Sequence, residues 1–380
     1  MVKQLHATYT LVRPMFLGGA DPRAPEFRPA SFKGALRFWW RALAWGEVAE
    51  GANDVAAALR ALHRRESELF GSAAGEEGSR QSRVLLSADW QVGKPVPAAA
   101  VRSAAGGSQG NGVGYLMGQG LDHRSATPSG RIGVRATFRP GTRDEDRHEV
   151  ERALLTLGLL GGLGSRARRG FGSLGIEALE GDRLLDLAVP RTVKELRGAL
   201  ANLIAKRAPR RPPYSAFSAH SRVDLSLVGS SAAEVHAAVG QEMQGYRQAL
   251  IDDTRRARDA ADGKRPDQPP DRAIFGLPLQ FYFKRDKAKV FAKPVPRRDE
   301  KMDRRASPLL IHIHELPGET ARFAVIQTFL PAQFLPRDKG VRVEVARKPR
   351  ALTFDFSGFS PPEALITEYL DAFPGRQAVH

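Results

Sequence analysis

A glycine- and arginine-rich segment constrains the fold of this 380-residue chain more than any other feature. The segment is Gly161-Gly-Leu-Gly-Ser-Arg-Ala-Arg-Arg-Gly-Phe-Gly-Ser-Leu174, with five glycines and three arginines. Glycine allows positive φ angles and close approach of another backbone, and arginine offers a fork of donors that suits phosphate. An apolar helical pattern precedes the segment and a strand-like run follows it. We therefore expect a loop outside the core that holds a polyanion.

The composition agrees with a polyanionic partner. The chain carries a net charge of +16, which favours nucleic acid or, less often, a membrane surface. A genome of high GC content, which enriches arginine, is the alternative source of this charge. The chain has no cysteine, which excludes disulfides, thiolate zinc sites and cysteine nucleophiles. Neither a signal peptide nor an apolar run of membrane-spanning length is recognisable, so we expect a cytoplasmic protein without a membrane partner.

The first half of the chain predicts the element order βαββαβ, with one helix and one loop inserted. Residues 131–139 alternate cleanly between apolar and polar side chains, as a half-buried strand does. Residues 91–129 are rich in small residues and poorly periodic, which indicates an extended insertion that orders only on a partner. The other expected elements are strands near residues 4–13, 83–88 and 173–180, and helices at 32–48, after Asn53 and Asp54, and at 144–160.

The second half also mixes strands and helices, which favours two α+β domains, residues 1–180 and 181–380. Residues 262–271 are rich in proline and aspartate and predict a linker. The expected elements are a helix capped by Thr192, a strand near 223–228, a long polar helix near 231–260, strand-like runs at 276–283, 308–315 and 321–329, and a terminal helix at 362–373.

The first helix carries a basic stripe. Ser31 is a suitable N-cap, and Lys33, Arg37 and Arg41 follow at a spacing of four residues, which places them on one side of the helix. Lys33 then lies in the first turn, where the helix dipole disfavours a cation. A phosphate held by Lys33 and the free N–H groups would explain this position. The alternative is that the basic stripe is a solvated face on the side of the helix opposite the core. We assign the neighbouring tryptophans to the core.

Several segments resemble the RAMP superfamily. They are Phe16-Leu-Gly-Gly-Ala-Asp-Pro22, residues 27–43 including Phe38-Trp-Trp-Arg41, Leu69-Phe-Gly-Ser72, Phe275-Gly-Leu-Pro-Leu279 and Arg304-Arg-Ala-Ser-Pro-Leu309. RAMP proteins share an early helix that opens with Ser-x-Lys-Gly-x-Leu-Arg and a glycine-rich loop before the last strand of a ferredoxin-like domain. The chain is most similar to the family of the first RAMP subunit of the type III-B CRISPR effector, the Cmr complex. Residues 91–129 and 262–271 match nothing in it.

The resemblance implies an α+β fold of two tandem ferredoxin-like (RRM-like, βαββαβ) domains with inserted helices and loops. It also implies a non-catalytic RNA-binding subunit at the head of an antiviral ribonucleoprotein, near the 3′ end of the guide RNA. The implied partners are guide RNA (crRNA), single-stranded target RNA and other RAMP subunits. Target cleavage belongs to the repeated backbone subunits of this family, and no cofactor is implied.

The basic and glycine-rich residues form the predicted RNA site. We expect the helix stripe to hold phosphates, the glycines to let the RNA backbone approach, the loop arginines to clamp it, and an exposed Phe171 to stack on a base. A second basic pair extends the site into the second half. The site residues are Lys33, Arg37, Arg41, Gly162, Gly164, Arg166, Arg168, Arg169, Gly170, Phe171, Gly172, Arg304 and Arg305.

The sequence carries no clear catalytic or metal-binding motif. The G-x-G-x-x-G match at residues 170–175 lacks the preceding strand and following helix of a dinucleotide site. His312 and His314 share one side of a strand and are assigned to a wet strand face. Two alternatives to a binding subunit stay open. One is a metal-independent guide-processing endoribonuclease acting through His6 or His123, and the other is a structural adaptor.

Overall fold

The computed structural model describes residues 2–21, 23–73, 79–103, 112–204, 208–295, 303–346 and 351–379. The helices are α1 (Pro29–Glu50), α2 (Val55–Phe70), α3 (Ala98–Ser103), α4 (Gly112–Met117), α5 (Asp144–Leu160), α6 (Val193–Leu203), α7 (Ala232–Ala249), α8 (Ile251–Ala261) and α9 (Ala364–Asp371), with a 3₁₀ helix at Asp271–Phe275. The strands are β1 (Gln4–Leu11), β2 (Val84–Val92), β3 (Val96–Pro97), β4 (Ser125–Ala126), β5 (Gly130–Phe138), β6 (Leu174–Gly181), β7 (Arg222–Gly229), β8 (Leu279–Phe283), β9 (Ala288–Pro294), β10 (Leu309–Glu315), β11 (Phe323–Phe329), β12 (Gly340–Val345), β13 (Leu352–Ser357) and β14 (Gln377–Ala378).

The protein has a mixed α+β architecture with several antiparallel sheets. The first sheet has the strand order β2-β5-β1-β6, and all its neighbouring strands are antiparallel. The alternation predicted for residues 131–139 is confirmed, because Ile132, Val134, Ala136 and Phe138 of β5 are buried. The helices α1 and α5 pack against each other beside this sheet, so they form its apolar layer.

Two further sheets are built from the second half. One has the order β10-β11-β7-β14, and the other has the order β13-β12-β9-β8. The sequence predicted β7, β8, β10 and β11 but not β9, β12, β13 or β14. Of the missed strands, β9 forms a hairpin with the predicted β8, β12 and β13 form a second hairpin, and β14 pairs with β7. The alternation of β12 is visible in the sequence, because the buried Val341, Val343 and Val345 are separated by the less buried Arg342 and Glu344, so this strand pattern was overlooked rather than hidden.

The predicted start of the first helix is wrong. The N-cap of α1 is Arg28, and Pro29 occupies the first helical turn. Proline is favoured there because its fixed φ suits the helix and its missing N–H would be unpaired anyway. Ser31 is therefore inside the helix, and Lys33 lies beyond the first turn. The argument for a phosphate at the free N–H groups beside Lys33 is lost.

The predicted linker at residues 262–271 is a packed loop. Asp267 and Asp271 accept hydrogen bonds from Arg256 at 3.2 and 2.7 Å, and the backbone N–H of Asp271 donates to Asp253 at 2.7 Å. The predicted helix at 231–260 is divided at Leu250, whose carbonyl accepts from Arg272 at 2.8 Å. These contacts fix α8 and the 3₁₀ helix to each other.

The described part of the predicted insertion, residues 91–129, contains regular structure, and its ordering on a partner stays a prediction. It contains α3 and α4, and α4 packs on α7. A Cβ added to Gly112 would lie 1.8 Å from the carbonyl oxygen of Ala237, and one on Gly240 would lie 2.1 Å from that of Gly112. The two helices therefore touch backbone to backbone, as only glycine permits. Residues 104–111 lie outside the described residues.

Both hydrophobic clusters draw on both halves of the chain. The first joins the first sheet, α1 and α5 to residues such as Leu200, Phe217 and Leu310. The second joins the later sheets to Leu116 and Phe171. The division at residues 180 and 181 stays a prediction. Within the described ranges, no helix is both long and apolar enough to cross a membrane.

Candidate nucleic-acid interface

A cleft of about 710 Å³ lies between the first-half helix α1 and the loops of the second half. It brings together four of the predicted site residues, Arg41, Arg168, Arg304 and Arg305. The other lining residues are Phe38, Pro213, Tyr214, Ser215, Ala306, Ala332, Gln333, Phe334, Leu335, Pro336 and Arg337.

The basic stripe of α1 is partly neutralised. Glu66 of α2 is buried and accepts hydrogen bonds from Arg37 at 2.6 Å and from Arg41 at 2.5 Å. One carboxylate thus pairs with two guanidinium groups, each about one-third exposed. Arg41 still borders the cleft, whereas Lys33 and Arg37 do not line it. Partial burial and the neighbouring Arg37 lower the pKa of Lys33.

The glycine-rich loop is a packed connection between the two halves, not an exposed loop. Its backbone docks on the edge of β10, where the N–H of Ile311 donates to the carbonyl of Arg168 at 3.0 Å. The N–H of Ile313 donates to the hydroxyl of Ser173 at 3.1 Å. The expectation that this segment stays outside the core is therefore wrong.

Close approach by the protein itself explains the loop glycines, which corrects their predicted role toward RNA. Gly164, Gly170 and Gly172 have φ angles of 86°, 84° and 62°. A Cβ on Gly172 would lie 2.0 Å from the carbonyl oxygen of Leu163, and one on Gly162 would lie 2.7 Å from that of Gly172. The loop glycines make room for neighbouring protein atoms.

The prediction that Phe171 is exposed for stacking is also wrong. The ring is fully buried and makes edge contacts with Phe16 at 5.7 Å and with His236 at 4.8 Å between ring centroids. Phe171 thus joins the loop to the segment that follows β1 and to α7. It has no face free for a base.

The three loop arginines have different roles. Arg166 donates to the carbonyls of Met117 and Gln119 at 2.9 and 2.7 Å, and Arg169 donates to that of Leu116 at 3.1 Å. These two side chains hold the end of α4 and the following turn. Only Arg168 reaches the cleft, so the predicted clamp of three arginines is reduced to one.

Arg305 completes the cleft with Arg168. Arg168 donates to Ser215 Oγ and to the carbonyl of Ser307, at 3.1 and 2.5 Å. Arg305 donates to the carbonyls of Phe334 and Ala306, at 2.8 and 2.6 Å. Arg304 is exposed, and its Nε lies 4.0 Å from the carboxylate of Asp303.

The cleft keeps its positive charge. Burial lowers the pKa of Arg168 and of Arg305 to about 10, so both stay protonated at neutral pH. Their partners are carbonyl dipoles and a hydroxyl, not carboxylates. No aspartate or glutamate is among the described residues that line the cleft. Half-buried positive charge without an anionic partner attracts an anion strongly.

Aromatic residues add apolar surface to the cleft, and the sequence prediction missed them. Phe38, Tyr214 and Phe334 line it, and the guanidinium groups of Arg168 and Arg305 lie 5.0 and 4.9 Å from the ring centroids of Phe38 and Phe334. Aromatic rings beside arginines suit stacked bases along a phosphate chain. Only Phe38 carried a sequence signal, as part of the Phe-Trp-Trp-Arg motif.

Comparison with known proteins identifies the family. The family model described as the RAMP superfamily matches residues 8–175. A CRISPR system Cmr subunit, Cmr1-2 of Pyrococcus furiosus, is 32% identical over 186 residues, which are 44% of this chain and 92% of that protein. The chain belongs to the RAMP superfamily. Within the superfamily, this RAMP protein belongs with the Cmr1 subunits.

A solved structure shares the fold of this RAMP protein. The crystal structure of Cmr1 from Pyrococcus furiosus in its apo form has a TM-score of 0.61 at 19% identity, over 99% of this chain and 98% of that one. A chain in the cryo-EM structure of the type III-B Cmr-beta complex bound to cognate target RNA has a TM-score of 0.48 at 11% identity, over 87% of this chain and 94% of that one. The family match contains the α1 stripe and the glycine-rich loop.

None of the histidines that the structure describes lines the cleft of this RAMP protein. His6 is on the outer side of β1, 3.3 Å from Gln4, and His123 is exposed. The wet face predicted for His312 and His314 is wrong, because both are buried. His312 Nδ1 donates to the carbonyl of Gly161 at 2.8 Å, and its Nε2 lies 3.3 Å from His314 Nδ1. Burial lowers the pKa of both, that of His314 to about 4.

No metal centre is evident in the described ranges. No group of three or more histidine, aspartate and glutamate side chains there could hold a metal ion. The candidate site is therefore the basic, aromatic cleft.

Proposed function

We propose that this protein is a non-catalytic RNA-binding subunit of a type III-B CRISPR ribonucleoprotein, and that it holds single-stranded RNA in the cleft. The observation that carries the proposal is the composition of the lining. Arg41, Arg168, Arg304, Arg305 and Arg337 line the cleft together with three aromatic rings, and no carboxylate lines it within the described residues. Phosphate contacts give affinity, and aromatic rings accept any base.

We infer that the protein consists of two tandem ferredoxin-like domains, residues 1–180 and 181–380. The support is a shared strand order. In the first sheet, β1 lies between β6 and β5, with β2 outside β5. In the second, β7 lies between β14 and β11, with β10 outside β11. Each order is that of a βαββαβ unit, with the hairpins β8–β9 and β12–β13 added to the second.

The assembly and its RNA are inferred from the family. The Pyrococcus relative is a Cmr subunit, and on that basis we propose that other RAMP subunits, guide RNA and target RNA are the partners. We place the protein at the head of the complex, near the 3′ end of the guide. The open, basic cleft fits a strand that passes through rather than a small ligand.

The proposed role is binding without chemistry. A phosphodiester in the cleft would meet guanidinium groups, a serine and a tyrosine. No histidine, aspartate or glutamate lines the cleft in the described residues, so a general base is missing there. His6 and His123, the candidates for an endoribonuclease, lie elsewhere.

A cleavage time course tests this role. The full-length protein is incubated with end-labelled guide precursor and with target RNA, with and without Mg²⁺ or Mn²⁺, and binding is measured on the same samples. We expect bound, intact RNA, with His6→Ala and His123→Ala unchanged. Discrete products made by the wild type and lost in His6→Ala would establish the endoribonuclease instead.

A further inference from the structure

A second, smaller cavity of about 170 Å³ adjoins the cleft and shares Phe38 and Arg168 with it. Pockets for drug-sized ligands have about 300–1,000 Å³, so this slot suits one planar ring system rather than a whole nucleotide. Its other lining residues are Ala35, Trp39, Leu160, Gly161, Gly162, Ala167 and Leu310.

Trp39 brings an unused hydrogen-bond donor to the slot. The residue is only 2% exposed, and its indole Nε1 lies beside Gly161, where an added Cβ would be 2.4 Å from it. Within the described residues, this N–H donates to no acceptor. By contrast, the indole of Trp40 donates to Glu149 at 2.8 Å. The Trp39 Nε1 atom is not among the buried polar atoms without a partner, and Trp39 lines the slot, so this N–H is available to an acceptor that a ligand in the slot supplies.

Arg168 connects the slot to the cleft. Its guanidinium group lies 5.0 Å from the centroid of the Phe38 ring, at the boundary of the two cavities. A strand whose phosphate meets Arg168 in the cleft therefore has its base within reach of the slot. The walls of the slot, formed by Phe38, Trp39 and two leucines, are those of a base pocket.

We propose that the slot takes one nucleobase, turned out of the stack of the RNA strand that lies in the cleft. The Trp39 N–H donates to an acceptor on the edge of that base, and Arg168 holds the adjoining phosphate. This inference rests on the proposed function, because it requires RNA in the cleft. It adds that one nucleotide is held differently from its neighbours.

Photocrosslinking tests the slot. Full-length protein is bound to oligouridylate that contains 4-thiouridine, irradiated and digested with trypsin, and the crosslinked residues are located by mass spectrometry. The slot residues Phe38 and Trp39 fall in the tryptic peptide Phe38–Arg41. Ala35→Leu and Ala167→Leu fill the slot without removing an arginine, and Ala30→Leu, at an exposed position of the same helix, is the control.

We expect wild-type crosslinks at Phe38 or Trp39. Each slot-filling variant should lose them and bind about tenfold more weakly, as for the loss of one stacked base, while Ala30→Leu stays unchanged. Crosslinks confined to Tyr214 or Phe334, together with normal RNA binding by the slot-filling variants, would contradict the proposal of a base in the slot. The proposal that RNA lies in the cleft would still stand. An RNA that fails to bind the wild type at all would defeat the proposed function. If one of the two slot-filling variants does not fold, the other variant and the wild-type crosslink still show whether a base occupies the slot.

Discussion

At the residue scale, Glu66 controls the charge of the α1 stripe. Its buried carboxylate pairs with both Arg37 and Arg41. The sequence showed the stripe correctly, because helical spacing fixes which residues share a side. It could not show Glu66 as the partner, because that contact depends on how α2 packs against α1.

We predict that Glu66→Gln weakens folding and strengthens RNA binding. The loss of charged hydrogen bonds costs about 1–3 kcal/mol, nearer the lower value because the two arginines are partly exposed and can be hydrated. The released positive charge beside the cleft should tighten binding at low salt. The measurements are urea unfolding and RNA affinity. Glu68→Gln on the same helix, whose pair with Arg80 is exposed, is the control. A variant that is destabilised but binds RNA no more tightly would show that the stripe is remote from the RNA.

At the scale of elements, the glycine-rich loop is a structural connection. The sequence predicted its position between a helix and a strand, and the structure confirms α5 before it and β6 after it. Its exposure was predicted wrongly, because Gly and Arg were taken as signs of a solvated surface. Both can be buried when the glycines meet protein backbone and the arginines donate to carbonyls, as Arg166 and Arg169 do.

We predict that Gly172→Ala destabilises the fold rather than blocking RNA. The positive φ of 62° is strained for alanine, and the Cβ would lie 2.0 Å from the carbonyl oxygen of Leu163. We expect the free energy of unfolding to fall by about 2–4 kcal/mol, because the φ strain and the overlap of the Cβ with this oxygen add together. Gly141→Ala, with φ of 79° and no atom within 4 Å, isolates the φ strain and should lose about 1–2 kcal/mol. Equal losses in the two variants, measured by urea unfolding, would contradict the packed loop.

At the scale of the whole molecule, buried histidines join the two halves. His312 donates to the carbonyl of Gly161, and His236 Nε2 donates to that of Arg169 at 2.8 Å while its Nδ1 accepts from Arg13 at 3.1 Å. Burial, together with the nearby Arg13, lowers the pKa of His236 to about 3. These neutral rings hold both ends of the glycine-rich loop. No sequence pattern reveals them, because the contacts span the two halves.

We predict that the protein loses stability as the pH falls from about 6.5 toward 4. The unfolded histidines bind protons near pH 6.5, whereas the folded ones stay neutral, so the stabilisation is complete above that pH and is lost below it. Between pH 7 and pH 5, the free energy of unfolding should fall by about 2 kcal/mol less in His236→Gln than in the wild type. His220→Gln, at an exposed position, should follow the wild type. Parallel profiles for wild type and His236→Gln in urea unfolding would show that His236 is not held neutral.

Much of the first half could be predicted from the sequence, and much less of the second. Local signals such as the cap at Asp54 and the alternation in β5 depend on neighbouring residues, and they were read correctly. The cleft depends on contacts between segments far apart in the chain. Arg168, Tyr214 and Arg337 meet only after both halves have packed, so a linear pattern could nominate basic residues but could not group them.

The salt dependence of RNA affinity shows whether the cleft holds single-stranded RNA. Arg304→Gln with Arg337→Gln removes two exposed cleft arginines, and Arg60→Gln with Arg64→Gln removes two exposed arginines of α2 that do not line the cleft. Each phosphate contact contributes about 0.7 to the slope of log affinity against log salt. We predict that the cleft variant has a slope shallower by about 1.4, at unchanged stability, and that the α2 variant keeps the wild-type slope. A wild-type RNA affinity that does not change with salt, or slopes that change equally in both variants, would contradict RNA binding in the cleft.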